Sequence, residues 1–162
     1  MPEYDLRLAE ELAVVANSVA QTELPPLAHD RMRLYLALLS IELSLKAMLE
    51  KAGMPISRIR ARSHRLADLL SDLDHCTVEV TPPTGAVYRT TASRLRAVEI
   101  STPTEQGTFG QLIDGLNGNV SNYPNEIRYG SYLRHYDASL VADAAKQAIE
   151  FARIHWTSLQ TD

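Results

Sequence analysis

One long apolar segment constrains the fold of this chain more than any other feature. Residues 34–49 read LYLALLSIELSLKAML, so a helix through them is apolar on almost every face. Such a helix belongs in the centre of a domain. Glu42 and Lys46 stand in its middle, four residues apart on one helical face, where they can pair. Because a buried charge is costly unless it is paired, the sequence predicts a central helix with a buried Glu42–Lys46 ion pair.

The composition is typical of one globular domain. The chain has 162 residues, of which 45% are hydrophobic, and a formal net charge of −4. A negative net charge gives no overall attraction to nucleic acid or acidic lipid, so any basic site must be local. The single cysteine, Cys76, excludes an internal disulfide framework and suits a reducing compartment. The N-terminus lacks a signal peptide's apolar core, and no apolar run reaches the roughly 20 residues of a membrane span. We therefore expect one cytoplasmic domain over residues 1–162, with no membrane contact.

The sequence predicts a first helix before the central one, and it also predicts where the central helix begins and ends. Apolar residues recur at every third or fourth position over residues 3–22, which indicates a first helix that stops before the proline pair at 25 and 26. The central helix should begin near that pair and end at Ala52. Gly53 can then adopt the left-handed conformation that closes many helices.

Two further helices carry N-terminal signals. Ser63 is a suitable N-cap for a third helix that runs through Leu73. Thr108 and Gln111 have the spacing of a capping box, in which each side chain bonds the backbone amide of the other residue. The sequence thus predicts helices that start near these two positions.

The last helix should begin at Asp137 or Ser139 and end at about Trp156. Its apolar residues spread around more of the helix than one core would cover, which predicts a homodimer interface that includes this helix. The residues on which this prediction rests are Leu140, Val141, Ile154 and Trp156.

Residues 75–106 interrupt the helical pattern. An alternating run at 77–80 and a β-branched run at 86–91 flank a turn that contains prolines and Gly85, which indicates a β-hairpin. Residues 95–100 fit either a further strand or a short helix. The predicted fold is therefore an all-α bundle of about five helices with a small β-hairpin or loop insert at 75–106.

The central helix and the segment after it resemble a known family. Ile41-Glu42-Leu43 and Leu45-Lys46 precede Gly53, and His64-x-Leu66 follows. This pattern is similar to that of the HEPN (higher eukaryotes and prokaryotes nucleotide-binding) domain. The resemblance implies a HEPN-like helical bundle that binds nucleotides or nucleic acid, or acts as an accessory module, as a dimer or with a partner protein.

The resemblance also implies a second function, metal-independent cleavage of RNA by toxins or antiphage-defence proteins. Ribonuclease members carry an arginine, four to six residues of any kind, and then a histidine. Arg128 and His135 are separated by six residues here. Histidine suits proton transfer near neutral pH, and arginine suits the charge that develops on a phosphate. Arg128 and His135 are thus the candidate catalytic residues, and no cofactor is expected.

The residues after Arg128 depart from that enzyme pattern. Tyr129 stands where ribonuclease members commonly have a polar residue, and the Arg-Tyr form resembles members without assigned nuclease activity. In that alternative Arg128 bridges to Glu42 or Glu126, and Tyr129 fills the edge of the core. If the stretch were helical, Tyr129, Tyr132 and Tyr136 would share one face and could stack a base beside Arg128. A third alternative is a purely structural interaction domain.

A basic segment follows the central helix in this otherwise acidic chain. If the segment were helical, positions 58, 62 and 65 would fall on one face, where they could meet successive phosphates. The alternative is a solvated approach to the third helix. The candidate nucleic-acid-binding or nucleotide-binding residues are Arg58, Arg60, Arg62 and Arg65. The scattered histidines and lone cysteine give no metal-binding spacing, so no metal site is predicted.

Overall fold

The chain folds into a mainly helical structure, as expected. The computed structural model describes residues 1–18, 25–115 and 137–162. Within these residues there are six α-helices, one 3-10 helix and two small antiparallel sheets. The α-helices are α1 (Leu6–Ser18), α2 (Pro26–Ala52), α3 (Ile56–Ala61), α4 (Leu66–Leu73), α5 (Phe109–Gly115) and α6 (Ala138–His155), and the 3-10 helix spans Ala92–Ala97.

Helix α2 is the centre of the bundle. Both α1 and α6 pack along it, and α4 also packs against it. Leu34, Leu38, Ile41 and Leu45 are fully buried at helical spacing. Gly53 ends α2 with a φ of 101°, and its N–H donates to the Glu50 carbonyl. The predicted bounds of α2 and its left-handed cap are therefore confirmed. Glycine suits this cap because a residue with a Cβ rarely adopts this φ.

Two predicted N-terminal caps are also confirmed. The Thr108 amide donates to Gln111 Oε1 at 3.0 Å, and the Gln111 amide donates to Thr108 Oγ1 at 3.3 Å. At α6, the Asp137 carboxylate accepts from the Ser139 amide at 2.8 Å. Both helices thus begin where local sequence chemistry satisfies their free amides.

The segment between α2 and α4 differs from the prediction. It contains a short helix, α3, and the chain then turns before α4 begins at Leu66. Ser63 has a φ of 52°, which is left-handed and lies outside the helix, so the prediction that Ser63 caps this helix is wrong. Arg65 occupies the N-cap position and makes no side-chain cap bond.

The predicted hairpin is present in the insert. Strand β1 (Cys76–Val80) pairs antiparallel with β2 (Tyr88–Thr91), in a register that places Val80 opposite Tyr88. Strand β5 (Gln160–Thr161) pairs with the other edge of β1, with Cys76 opposite Thr161. The sheet order is therefore β2-β1-β5, and the end of the chain is tied to the insert.

The rest of the insert packs on α5. Strand β3 (Glu99–Ser101) follows the 3-10 helix and pairs antiparallel with β4 (Gln106–Thr108). Both options that the sequence left open for residues 95–100 therefore occur in succession. A Cβ on Gly110 of α5 would lie 3.1 Å from the Arg96 carbonyl oxygen, which is tighter than most Cβ contacts, so glycine favours this close approach.

Helix α6 exposes less apolar surface than its sequence suggests. Val141 is fully buried, and Leu140 and Trp156 pack partly buried against the core. Only Ile154 of the four predicted interface residues is strongly exposed, at 65%. The spread of apolar residues on α6 therefore mostly serves the chain's own core, and the homodimer stays a prediction. No helix of the described residues is long and apolar enough to cross a membrane.

The buried thiol of Cys76 should be unreactive in the folded protein. Cys76 is 1% exposed, and burial, together with the nearby Asp72 carboxylate, raises the pKa of its thiol from 9.0 to about 11. This higher pKa lowers the thiolate fraction at pH 8 about a hundredfold, and the thiolate is the reactive form. We expect alkylation by iodoacetamide at pH 8 to be at least that much slower in the native protein than in urea. Equal rates in the two states would contradict this burial.

Candidate functional site

A charged cluster lies within the apolar core. Lys46 Nζ lies 2.7 Å from Glu42 Oε1, and both side chains are buried in α2. The predicted buried ion pair is thus confirmed. The second carboxylate oxygen, Oε2, lies 2.8 Å from His64 Nδ1. We call Glu42, Lys46 and His64 the α2 cluster.

His64 carries this cluster to the surface. Its side chain is 44% exposed, whereas the Glu42 side chain is 4% exposed. His64 reaches Glu42 because the chain turns between α3 and α4, with Ser63 in the left-handed conformation. A buried carboxylate that bonds one ring nitrogen fixes the orientation of an imidazole. The α2 cluster therefore presents a histidine in a fixed orientation to solvent.

The N-terminal residues also contact the cluster, at Lys46. The Glu50 carboxylate, one turn beyond Lys46 on α2, accepts from the amides of Glu3 and Tyr4, each at 2.9 Å. The Tyr4 ring lies over the Lys46 ammonium, 5.4 Å from nitrogen to ring centroid. This cation–π contact and the Glu42 contact together offset the desolvation of Lys46. We call residues 1–5 the N-terminal strap.

The basic segment is not one continuous helical face. Helix α3 ends at Ala61, so the helical spacing applies only to its first half. Arg62 donates two hydrogen bonds to the Asp72 carboxylate of α4, at 2.7 and 2.9 Å, and Arg58 approaches the same carboxylate at 3.4 Å. Asp72 is buried and also raises the pKa of Arg62 through these bonds. These two arginines therefore pin α3 to α4.

The other two arginines pair elsewhere. Arg60 lies about 200° around α3 from Arg58 and donates to both Glu3 oxygens, from Nε at 2.8 Å and from Nη2 at 2.5 Å. This bond is the main cause of the lowered pKa of the Glu3 carboxyl. Arg65 lies 3.2 Å from Asp68 across two half-exposed side chains. The four arginines thus meet three described carboxylates, which leaves a local surplus of one positive charge.

The two arginines that pair with Asp72 provide a matched test of a structural contact against a surface contact. Arg62 is 30% exposed and makes both short bonds to Asp72, whereas Arg58 is 57% exposed and makes the long one. We expect Arg62→Ala to lower the free energy of unfolding by about 2 kcal/mol, because hydrogen bonds to a buried charge are lost. Arg58→Ala should change it by less than about 0.5 kcal/mol. Urea denaturation checks both, and equal losses would contradict the assigned division of roles.

The remaining candidates lie outside the described residues. Arg128, Tyr129 and His135 belong to residues 116–136, so their prediction rests on the sequence alone. Across the described ranges, no group of three or more histidine, cysteine or acidic side chains could hold a metal ion. The contact between His64 and Glu42 was not predicted from the sequence, because 22 residues separate them.

Comparisons with known proteins give no match. No protein-family model matches the chain, and no curated protein or solved structure matches it.

Proposed function

We propose that this chain is a HEPN-like module that binds nucleotides or nucleic acid. One observation carries the proposal. The three polar residues on which the resemblance rests, Glu42, Lys46 and His64, are brought into a single contact cluster although the third lies outside α2. A resemblance that arose by chance gives no reason for His64 to meet the pair on α2.

The energetics of the cluster favour a site over a purely structural role. Replacing a buried ion pair by apolar residues of similar volume is often neutral or stabilising. Glu42 and Lys46 therefore do not need to be charged for α2 to pack in the core. Charged and titratable groups held together at such a cost are typical of functional sites. Here the cluster ends at a partly exposed histidine, which can contact a ligand.

The surface beside this histidine suits a phosphate-containing ligand. His64 lies between Arg62 and Arg65 in the chain, and Arg58 and Arg65 are 57% and 46% exposed. Guanidinium groups bind phosphate oxygens with two parallel hydrogen bonds. The surplus of one charge predicts modest binding that a moderate salt concentration weakens.

The dimer, the partner protein and the endoribonuclease activity belong to this proposal only through the resemblance. Cleavage of RNA rests on Arg128 and His135, which lie outside the described residues, and no described contact favours it. Binding is therefore the function to test first.

A pair of double variants tests the binding surface. We expect Arg58→Ala/Arg65→Ala to weaken binding of a fluorescein-labelled single-stranded 20-nucleotide RNA about tenfold, measured by anisotropy at low salt. The slope of log affinity against log salt should become less negative by about 1.4, which corresponds to two lost phosphate contacts.

The matched control is Arg7→Ala/Arg94→Ala, which removes the same charge from two exposed positions outside the basic segment. Binding by this control should stay within about twofold of the parent, because only long-range attraction changes. If both double variants weaken binding equally, the attraction is general and the assigned surface is wrong.

A further inference from the structure

The N-terminal strap contacts the basic segment at Arg60, chiefly through the Glu3 carboxylate. The Glu50 side chain fixes the strap backbone through the amides of Glu3 and Tyr4. This places the Glu3 carboxylate against Arg60, which uses its Nε and Nη2 groups to bind both oxygens. Both partners are substantially exposed, with the Arg60 side chain at 66%. The contact is thus at the surface, where a ligand can replace it.

The geometry at Arg60 is that of a bound anion. Arginine binds carboxylates and phosphates in the same way, with two parallel N–H groups that donate to two oxygens of one acidic group. The strap carboxylate therefore occupies the donor face that a phosphate would need. Arg58, Arg62 and Arg65 do not contact the strap within the described residues, so this occupation is specific to Arg60.

We propose that Arg60 is a phosphate-binding residue of the basic segment and that Glu3 of the N-terminal strap is its internal competitor. The inference rests on the proposed function, which it deepens by naming a further phosphate-binding residue and its competitor. Bound RNA displaces the Glu3 carboxylate from Arg60, and one arginine–carboxylate pair is exchanged for one arginine–phosphate pair. The strap backbone stays bound to Glu50 throughout.

The size of the effect follows from the exposure of the pair. Exposed ion pairs contribute little in water, so the competition lowers the affinity for RNA by about two- to fivefold. Salt screens the Glu3–Arg60 pair and the RNA contact together, so the effect is best measured at low ionic strength. The strap thus tunes binding and does not abolish it.

The test is a double-mutant cycle with the labelled single-stranded RNA. The variants are Glu3→Gln, Arg60→Ala and the two combined, because a cycle isolates the term that depends on both side chains. Glu11→Gln is the control, since it removes one negative charge from an exposed position of α1. We expect Glu3→Gln to bind two- to fivefold more tightly than Glu11→Gln, and this gain to vanish when Arg60 is alanine.

The outcomes separate this inference from the proposed function. If the parent binds RNA in a salt-dependent way and Glu3→Gln binds no better than Glu11→Gln, the competitor role is overturned and the binding function stands. A gain that persists in the Arg60→Ala background also overturns it. If no variant binds RNA, both proposals fail.

Discussion

Replacement of Glu42 by glutamine is expected to lower the free energy of unfolding by about 3–5 kcal/mol, measured by urea denaturation. The change keeps the size of the side chain but removes its charge. Lys46 would then be buried without its ionic partner 2.7 Å away, and the His64 ring would lose the carboxylate that orients it. Removing one member of a buried pair is costly because the other charge stays in the core.

Two further variants make this result specific. Glu11→Gln makes the same chemical change at an exposed position and should cost less than about 0.5 kcal/mol. Glu42→Leu/Lys46→Leu removes both charges and should recover most of the lost stability. A loss below about 1 kcal/mol for Glu42→Gln would mean that water reaches the pair. A stable double variant that no longer binds RNA would link the α2 cluster to function.

Phe109→Ala is expected to cost about 3–5 kcal/mol, which is the second large effect. Phe109 is fully buried at the first position of α5, and its amide donates to the Val98 carbonyl at 2.9 Å. Its ring belongs to the same hydrophobic core as the α2 side chains. Truncation would therefore leave a cavity where the insert meets the helical bundle.

Tyr88→Ala is the control for this prediction, because Tyr88 is an aromatic residue of the adjoining insert but is 46% exposed. Its loss should cost less than about 1 kcal/mol. If Phe109→Ala were as mild as Tyr88→Ala, the insert would be an appendage with its own weak packing. A single cooperative transition with a lower midpoint is the expected result, since Leu95 and Ile100 of the insert are also buried in the common core.

Local sequence chemistry accounts for the parts of the fold that were predicted correctly. The bounds of α2, the Gly53 cap, the Thr108–Gln111 capping box and the Asp137 cap each depend on residues within one helical turn. The Glu42–Lys46 pair is equally local. Such features are readable because the partner side chains are fixed by helical geometry alone.

One error overlooked a local signal, and the other lies where distant residues decide the contacts. Helix α3 was missed because its arginines were interpreted as a charge run, although Pro55 before Ile56 and the buried Ile59 indicate a helix start with one apolar face. The run of positive charge also suggested that all four arginines are available to bind a ligand. Their partners Asp72 and Glu3 lie 10 and 57 residues away from Arg62 and Arg60, respectively, and no periodicity predicts contacts at that separation.

The most direct test of the account is the affinity of the unmodified protein for single-stranded RNA as a function of salt. We predict that anisotropy of the labelled 20-nucleotide RNA will show binding at about 50 mM salt. Log affinity should then fall linearly with log salt, with a slope of about −1.4 to −2.8 for two to four phosphate contacts. A folded protein that leaves the anisotropy unchanged at 50 mM salt, at concentrations up to about 100 μM, would contradict the central claim that this chain binds nucleic acid.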